Sequence, residues 1–185
     1  MAPDDAFRDQ PTLTGPRVRL EPLGPAVLAD YWQMLQEPEG RRLTGTHAEF
    51  TVAQTEAWLR SRADEHGRAD WAAIELATGA FVGEVVLNDL DPENEVIGFR
   101  IGLAGPALYG RGFGTEMTRL VLDHAFDTVG LHRVELEVYA HNPRAQRVYE
   151  KCGFRVEGRR RDALLWEGER YDAVLMAVLR TDPRP

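Results

Sequence analysis

Tyr109-Gly110-Arg111-Gly112-Phe113-Gly114-Thr115 runs straight into a helix-patterned stretch from Glu116 to Val129. Glycines at alternate positions strip side chains from a turn, so backbone N–H groups can approach a ligand closely. The helix that follows adds its own unpaired N–H groups and the positive end of its dipole. That combination suits an anion, most naturally a phosphate, although the same spacing can also be only a tight connection. Two phosphate ligands are argued against by what is missing. A nucleoside-triphosphate loop ends in Gly-Lys and then Ser or Thr, whereas Gly114 is followed by Thr115 and Glu116, so Walker-type ATP binding is excluded. A dinucleotide fingerprint wants its third glycine one place later than Gly114 and an acid about 20 residues on; Thr115 breaks the first condition, while Glu135 or Glu137 could imitate the second.

Upstream of the turn the pattern is extended. Trp71 to Leu76, Phe81 to Leu90 and Glu95 to Leu103 read as strands separated by Thr78-Gly79 and Asp91-Pro92-Glu93-Asn94, an antiparallel meander. In the third strand Ile97, Phe99, Ile101 and Leu103 share one side and Gly98, Arg100 and Gly102 the other, so one face lacks bulk. Earlier still, Arg17 to Leu23 suggests a strand. Pro25 opens a helix carrying Leu28, Tyr31, Trp32 and Leu35 until Pro38, and Thr51 with Gln54 caps a second helix from Val52 to about Glu65. The polar stretch from Glu39 to Phe50 between them reads as a loop, either a substrate cover or a plain surface connection. Downstream, Val134 to Tyr139 alternates as a strand. Asn142 and Pro143 start a helix with Ala145, Val148, Tyr149 and Cys152 on its apolar face, and Gly153 stops it. Two strands, Phe154 to Leu165 and Tyr171 to Leu179, complete the chain. The sum is an α+β, three-layer α/β/α arrangement: a mixed, mostly antiparallel seven-stranded sheet with about four helices. Residues 1–10 are expected to be disordered and 11–182 to form a single domain.

A length of 185 residues with 43% apolar and 28% charged residues is globular composition. A formal charge of −8 argues against nucleic acid or an anionic membrane as partner, and Arg155, Arg159, Arg160 and Arg161 read as a solvated strand face. Met1 to Gln10 is polar and acidic, unlike a secretory leader, and no apolar run reaches the ~18 to 20 residues of a membrane span, so a cytoplasmic protein is expected. The lone cysteine, Cys152, has no disulfide partner, and His47, His66, His124, His132 and His141 show no metal-ligand spacing. Trp32, Trp58, Trp71 and Trp166 sit in apolar patterns; Trp32 could line a pocket.

The glycine turn, followed after one helix and one strand by Asn142-Pro143-Arg144-Ala145-Gln146-Arg147-Val148-Tyr149-Glu150-Lys151-Cys152-Gly153-Phe154, resembles the GNAT superfamily of acyl-CoA-dependent N-acetyltransferases. The opening Leu13-Thr14-Gly15-Pro16-Arg17-Val18-Arg19-Leu20-Glu21-Pro22 is similar to the Rim-type branch that acetylates ribosomal-protein N-termini. The resemblance implies acetyl-CoA as co-substrate, no metal, and transfer to a small-molecule or peptide amine by direct attack in a ternary complex; it leaves a homodimer open. It also implies that Tyr109, Gly110, Arg111, Gly112, Phe113, Gly114 and Thr115 wrap the pyrophosphate, with Arg111 a charge partner. Ile101, Gly102 and Leu103 would pair with the pantetheine arm, Asn142 and Arg147 would contact the cofactor, and Tyr149 would protonate the leaving thiolate.

A phenol of pKa near ~10 is protonated at neutral pH and can serve as that acid; the same ring could instead only pack in the core. An amine attacks only when neutral, so a carboxylate on the central strands can act as base. Glu84, inside the apolar run Phe81 to Leu87, comes first, then Glu95, with Asp89 and Glu135 behind them. Two other classes stay open: a catalytically inactive acyl-CoA-binding sensor or interaction module, and a nicotinamide-binding domain.

Overall fold

The computed structural model describes residues 7–184. Eight strands form one sheet in the order β1-β2-β3-β4-β5-β6-β8-β7. They are β1 (Leu13–Thr14), β2 (Val18–Pro22), β3 (Ala69–Glu75), β4 (Phe81–Asp91), β5 (Val96–Leu103), β6 (Arg133–Tyr139), β7 (Arg155–Trp166) and β8 (Glu169–Leu179). Five α-helices accompany them: α1 (Leu28–Gln36), α2 (Pro38–Thr44), α3 (Val52–Ser61), α4 (Phe113–Asp123) and α5 (Pro143–Lys151). The α+β class is as expected, but the counts are corrected from seven strands and about four helices. The extra strand is β1, two residues long and too short to carry a period. The extra helix is α2, expected as loop because Leu43 is its one large apolar residue. Pro38, which ends α1, also starts α2 at its first turn. Glu37 caps α2 by accepting from the N–H groups of Glu39 and Gly40, and Gly45 at φ 64° closes it.

The core lies on both faces of the sheet. On one, Val18, Leu20, Trp71, Val85, Ile97 and Phe99 meet Phe113, Met117, Val121 and Leu122 of α4 and Tyr149 of α5. On the other, Ala72 meets Tyr31 of α1 and Leu59 of α3. Strand β3, covered on both sides, is buried from Ala69 to Ile74, which is why it reads as a continuous apolar run broken only by Asp70. Asp70 survives burial because the Arg68 guanidinium donates to it at 2.6 and 2.8 Å. The stretch expected to be disordered is placed from residue 7 onward. Phe7 is 2% exposed and its N–H donates to the His66 carbonyl at 3.2 Å; residues 1–6 lie outside the described residues.

All neighbouring strands are antiparallel except β5 and β6. These two run parallel and pair only through Val96–Arg133, Ile97–Val134 and Gly98–Glu135. Beyond Gly98 they part, while β5 stays paired to β4 up to Leu103 and β6 stays paired to β8 up to Tyr139. The sheet therefore opens as a wedge. The β5 groups that face the wedge past Gly98 have no strand partner on that side, an arrangement that is costly unless something else bonds to them.

Candidate active site

The wedge leads into a cleft of about 270 Å³. Ile101, Gly102 and Leu103 form one wall, the glycine turn from Tyr109 to Thr115 a second, Asn142 to Lys151 a third, and Gly40, Leu43 and Thr44 of α2 close one side. The glycines at the turn are there by geometry. Gly110 has φ 72° and Gly112, the N-cap of α4, φ 89°, both in the left-handed region that side chains disfavour. A Cβ at Gly112 would also sit 3.2 Å from a guanidinium nitrogen of Arg17. The first α4 bond of this turn is Glu116 N–H to the Gly112 carbonyl at 3.1 Å, so the N–H groups of Phe113, Gly114 and Thr115 have no partner within the helix. They remain available to an anion.

The turn is held from behind. Arg17 donates to the Arg111 carbonyl at 2.6 Å and its guanidinium lies 4.6 Å over the Phe113 ring. One carboxylate oxygen of Glu116 accepts from the N–H groups of Arg17 and Val18 at 2.8 and 3.0 Å, tying the first turn of α4 to β2. Arg111 itself points away: its guanidinium bonds Glu75 at 3.2 Å and stacks on Phe113, and it does not line the cleft. The expected charge partner is thus corrected. Cations come instead from α5, where Arg144, Arg147 and Lys151 line the cleft and Arg144 stacks 4.0 Å over Tyr109. Their spacing of three and four residues puts them on one helix face, a signal readable in the sequence that had yielded only Arg147. The Phe113 ring is fully buried, leaving only its backbone for a ligand. Gly114 is used twice, since a Cβ there would meet Val148 of α5 at 3.8 Å.

Asn142 caps α5, its side-chain oxygen accepting from Ala145 N–H at 3.1 Å, and it lines the cleft as well. Tyr149 is buried, its ring edge-on to Phe99 at 6.1 Å and tilted against Phe154 at 5.8 Å, and it faces the cleft. Burial raises its phenol above the ordinary value, as does the nearby Cys152 thiol, so it stays protonated.

Glu84 lies directly across from Gly102 in the β4–β5 register, on the face covered by α1. Tyr31 of α1 donates its hydroxyl to the Glu84 carboxylate at 2.8 Å. Burial pushes the Glu84 carboxyl up, while the Tyr31 hydrogen bond and the Arg100 charge hold it down. The missing side chain at Gly102 leaves the Glu84 stem beside the cleft wall; a Cβ there would stand 3.9 Å from Glu84 Cγ. Glu95 is not brought to the site: it precedes β5, seven residues from Gly102, about 23 Å along an extended strand. The alternation of charges in these strands could not separate the two acids, because only the sheet register and the α1 contact do so. Tyr31, which orients Glu84, is likewise a contact between elements far apart in the chain and left no sequence signal.

The histidines do other work. His124 is buried with its ring edge-on to Trp71 at 5.7 Å and its pKa pushed down by burial; His141 Nε2 bonds the Arg42 carbonyl at 2.8 Å; His47 stacks on Trp166 at 5.0 Å. Among the described residues, no three His, Cys, Asp or Glu side chains converge to hold a metal ion, and no helix is long and apolar enough to cross a membrane.

Comparison with known proteins agrees with this geometry. The model of the acetyltransferase (GNAT) domain family matches residues 17–155, and the chain belongs to that family. It is an acyl-CoA N-acyltransferase whose co-substrate is acetyl-CoA. The spermidine N(1)-acetyltransferase of Vibrio cholerae serotype O1 is 31% identical over 108 residues, which cover 58% of this chain and 62% of that protein. The putative ribosomal N-acetyltransferase YdaF of Bacillus subtilis is 31% identical over 127 residues, 68% of this chain and 66% of the relative. The matched parts thus span under two thirds of both relatives. Among solved structures, the Vibrio cholerae spermidine N-acetyltransferase in complex with CoA and spermine superposes with a TM-score of 0.83 at 21% identity, covering 90% of this chain and 98% of the other; at that identity the likeness is one of fold.

Proposed function

We propose that this protein transfers an acetyl group from acetyl-CoA to a primary amine of a small molecule by direct attack in a ternary complex. The observation that carries the reading is the wedge between β5 and β6, which joins a glycine turn and a cationic helix face on one side to an open sheet face on the other. Acetyl-CoA supplies the acetyl group as a thioester. Backbone N–H groups of the turn and of the α4 N-terminus, with Arg144, Arg147 and Lys151, would hold its phosphates; the unpartnered edge of β5 from Ile101 to Leu103 would bond its arm and thioester carbonyl. Asn142, which lines the cleft, would contact that arm. Tyr149 gives its phenolic proton to the sulfur as the C–S bond breaks, and Glu84 accepts the proton shed by the amine as the N–C bond forms.

The likeness to YdaF favours a second acceptor class, a peptide N-terminal amine, as does the similarity of Leu13 to Pro22 to the Rim-type branch. A thiol-release assay decides between them. With acetyl-CoA present, a panel of small amines and short peptides is screened, and turnover with small amines at a kcat/KM at least about tenfold above any peptide is expected. Turnover of peptides alone would sink the small-molecule reading. Binding of acetyl-CoA with no turnover on any amine would point to a sensor.

A further inference from the structure

On the face of the sheet opposite α4 and α5, a second cavity of about 420 Å³ opens over β5, β6, β7 and β8. Helices α1 and α3 cover Ala72 on this side and the end of α2 packs against Tyr139 of β6 and Leu164 of β7, leaving the stretch between them open. Arg100 stands on this face between Gly98 and Gly102, so its side chain rises from a strand with no bulk on either flank. The other arginines of the cavity are neutralised. Arg133 donates to Glu135 and to Glu157, each at 2.8 Å, and Arg160 bonds Glu137. The Asp89 carboxylate at the rim accepts from the Asn88 amide. Arg100 is the cavity's one cation with no hydrogen bond or ion pair among the described residues.

The position of Arg100 relative to the proposed chemistry gives it a function. Two residues of β5, about 6.8 Å, separate it from Gly102, and Glu84 lies directly across from Gly102. A molecule whose amine sits at Glu84 and which extends along β5 toward Gly98 would bring its other end to the guanidinium. Its planar fork of donors matches a carboxylate in two parallel bonds, whereas a polycation would meet an unpaired like charge there.

We infer that Arg100 anchors a carboxylate on the acceptor, so that the substrate is a small amino-carboxylate rather than a polyamine. This rests on the acetyltransferase reading above and narrows its substrate class. The test uses the full chain with acetyl-CoA and acceptors in matched pairs, amino acids against their decarboxylated amines, with spermidine as the polycation. Amino acids are expected to win each pair in kcat/KM. Arg100→Gln should raise KM for the amino acid about tenfold or more, the size of one charged hydrogen-bonded contact. It should leave KM for the decarboxylated amine and for acetyl-CoA within about twofold, and Arg100→Lys should restore part of the loss. Preference for spermidine, equal rates within pairs, or an Arg100→Gln effect that is the same for both members of a pair would overturn the inference while leaving acetyl transfer intact. Acetyl-CoA binding without transfer to any amine would overturn both.

Discussion

Tyr149 carries two demands on one ring. Its body is packed against Phe99 and Phe154 in the core, and its hydroxyl end belongs to a residue that faces the cleft. Replacing it by phenylalanine keeps the packing and removes the proton. We expect Tyr149→Phe to lower kcat by about 10²-fold or more with the acetyl-CoA affinity unchanged, measured by steady-state kinetics and calorimetry. An unaltered kcat would take Tyr149 out of the reaction. Because burial lifts its pKa, loss of its proton should not limit the rate below about pH 10. Glu84 behaves in the opposite sense. As the proposed base it works only when ionised, and burial holds its carboxyl above the ordinary range, so kcat/KM should rise with pH through that raised value. Tyr31→Phe removes a hydrogen bond that stabilises the carboxylate and should move this limb to higher pH. Stability runs the other way. The folded state binds the Glu84 proton more tightly than the unfolded chain, so the contribution of Glu84 is full below the unfolded carboxylate pKa near ~4.3 and is lost as pH rises through the raised value. At pH 7 to 8, Glu84→Gln should therefore be slower as an enzyme yet melt no lower than the parent in a thermal scan. A lower Tm in that range, or a pH profile without its acidic limb displaced in Tyr31→Phe, would be the contrary result.

At the scale of elements, the turn before α4 depends on one backbone conformation. Gly112 at φ 89° caps the helix, and valine there would be strained as well as crowded by Arg17. Gly112→Val should weaken acetyl-CoA binding by at least about tenfold in titration calorimetry, with the far-ultraviolet circular dichroism preserved; full affinity in the variant would disprove the phosphate assignment. The turn, the α5 cap and the central strands were legible because each is local: alternate glycines, an Asn-Pro start, a period of two. Helix α2 was not legible. Its start depends on Pro38 being both terminator and first residue, and its docking depends on distant parts of the chain: a Cβ at Gly45 would lie 2.8 Å from Leu164 and Tyr139 atoms. No local period reports such a contact.

For the whole molecule, the open wedge makes ligand and fold interdependent. The edge of β5 past Gly98 and the first N–H groups of α4 have no strand or intrahelical partner, and a ligand that fills the cleft would replace water on them. Acetyl-CoA at about 100 times its Kd should stabilise the folded state by about 2.7 kcal/mol, raising Tm by roughly 5 to 10 °C in a chain of this size. NAD at the same concentration should not; an equal shift with NAD would revive the nicotinamide reading.

The amino-acid sequence alone determined the α+β class, the glycine turn that opens α4, the Asn142 helix with Tyr149 on its inner face, and through them the acetyltransferase family. Such features are set by spacing within a few residues of one another, where backbone conformation and side-chain periodicity are decided. The tertiary structure alone decided that Glu84 and not Glu95 lies across from Gly102, that Arg111 turns away while Arg144 and Lys151 turn in, and that Arg100 has no ion-pair partner among the described residues. Those outcomes depend on strand register and on contacts such as Tyr31 with Glu84 and Arg111 with Glu75, between segments more than thirty residues apart. A single sequence holds no signal of a pairing whose partners meet only after the sheet has closed around them.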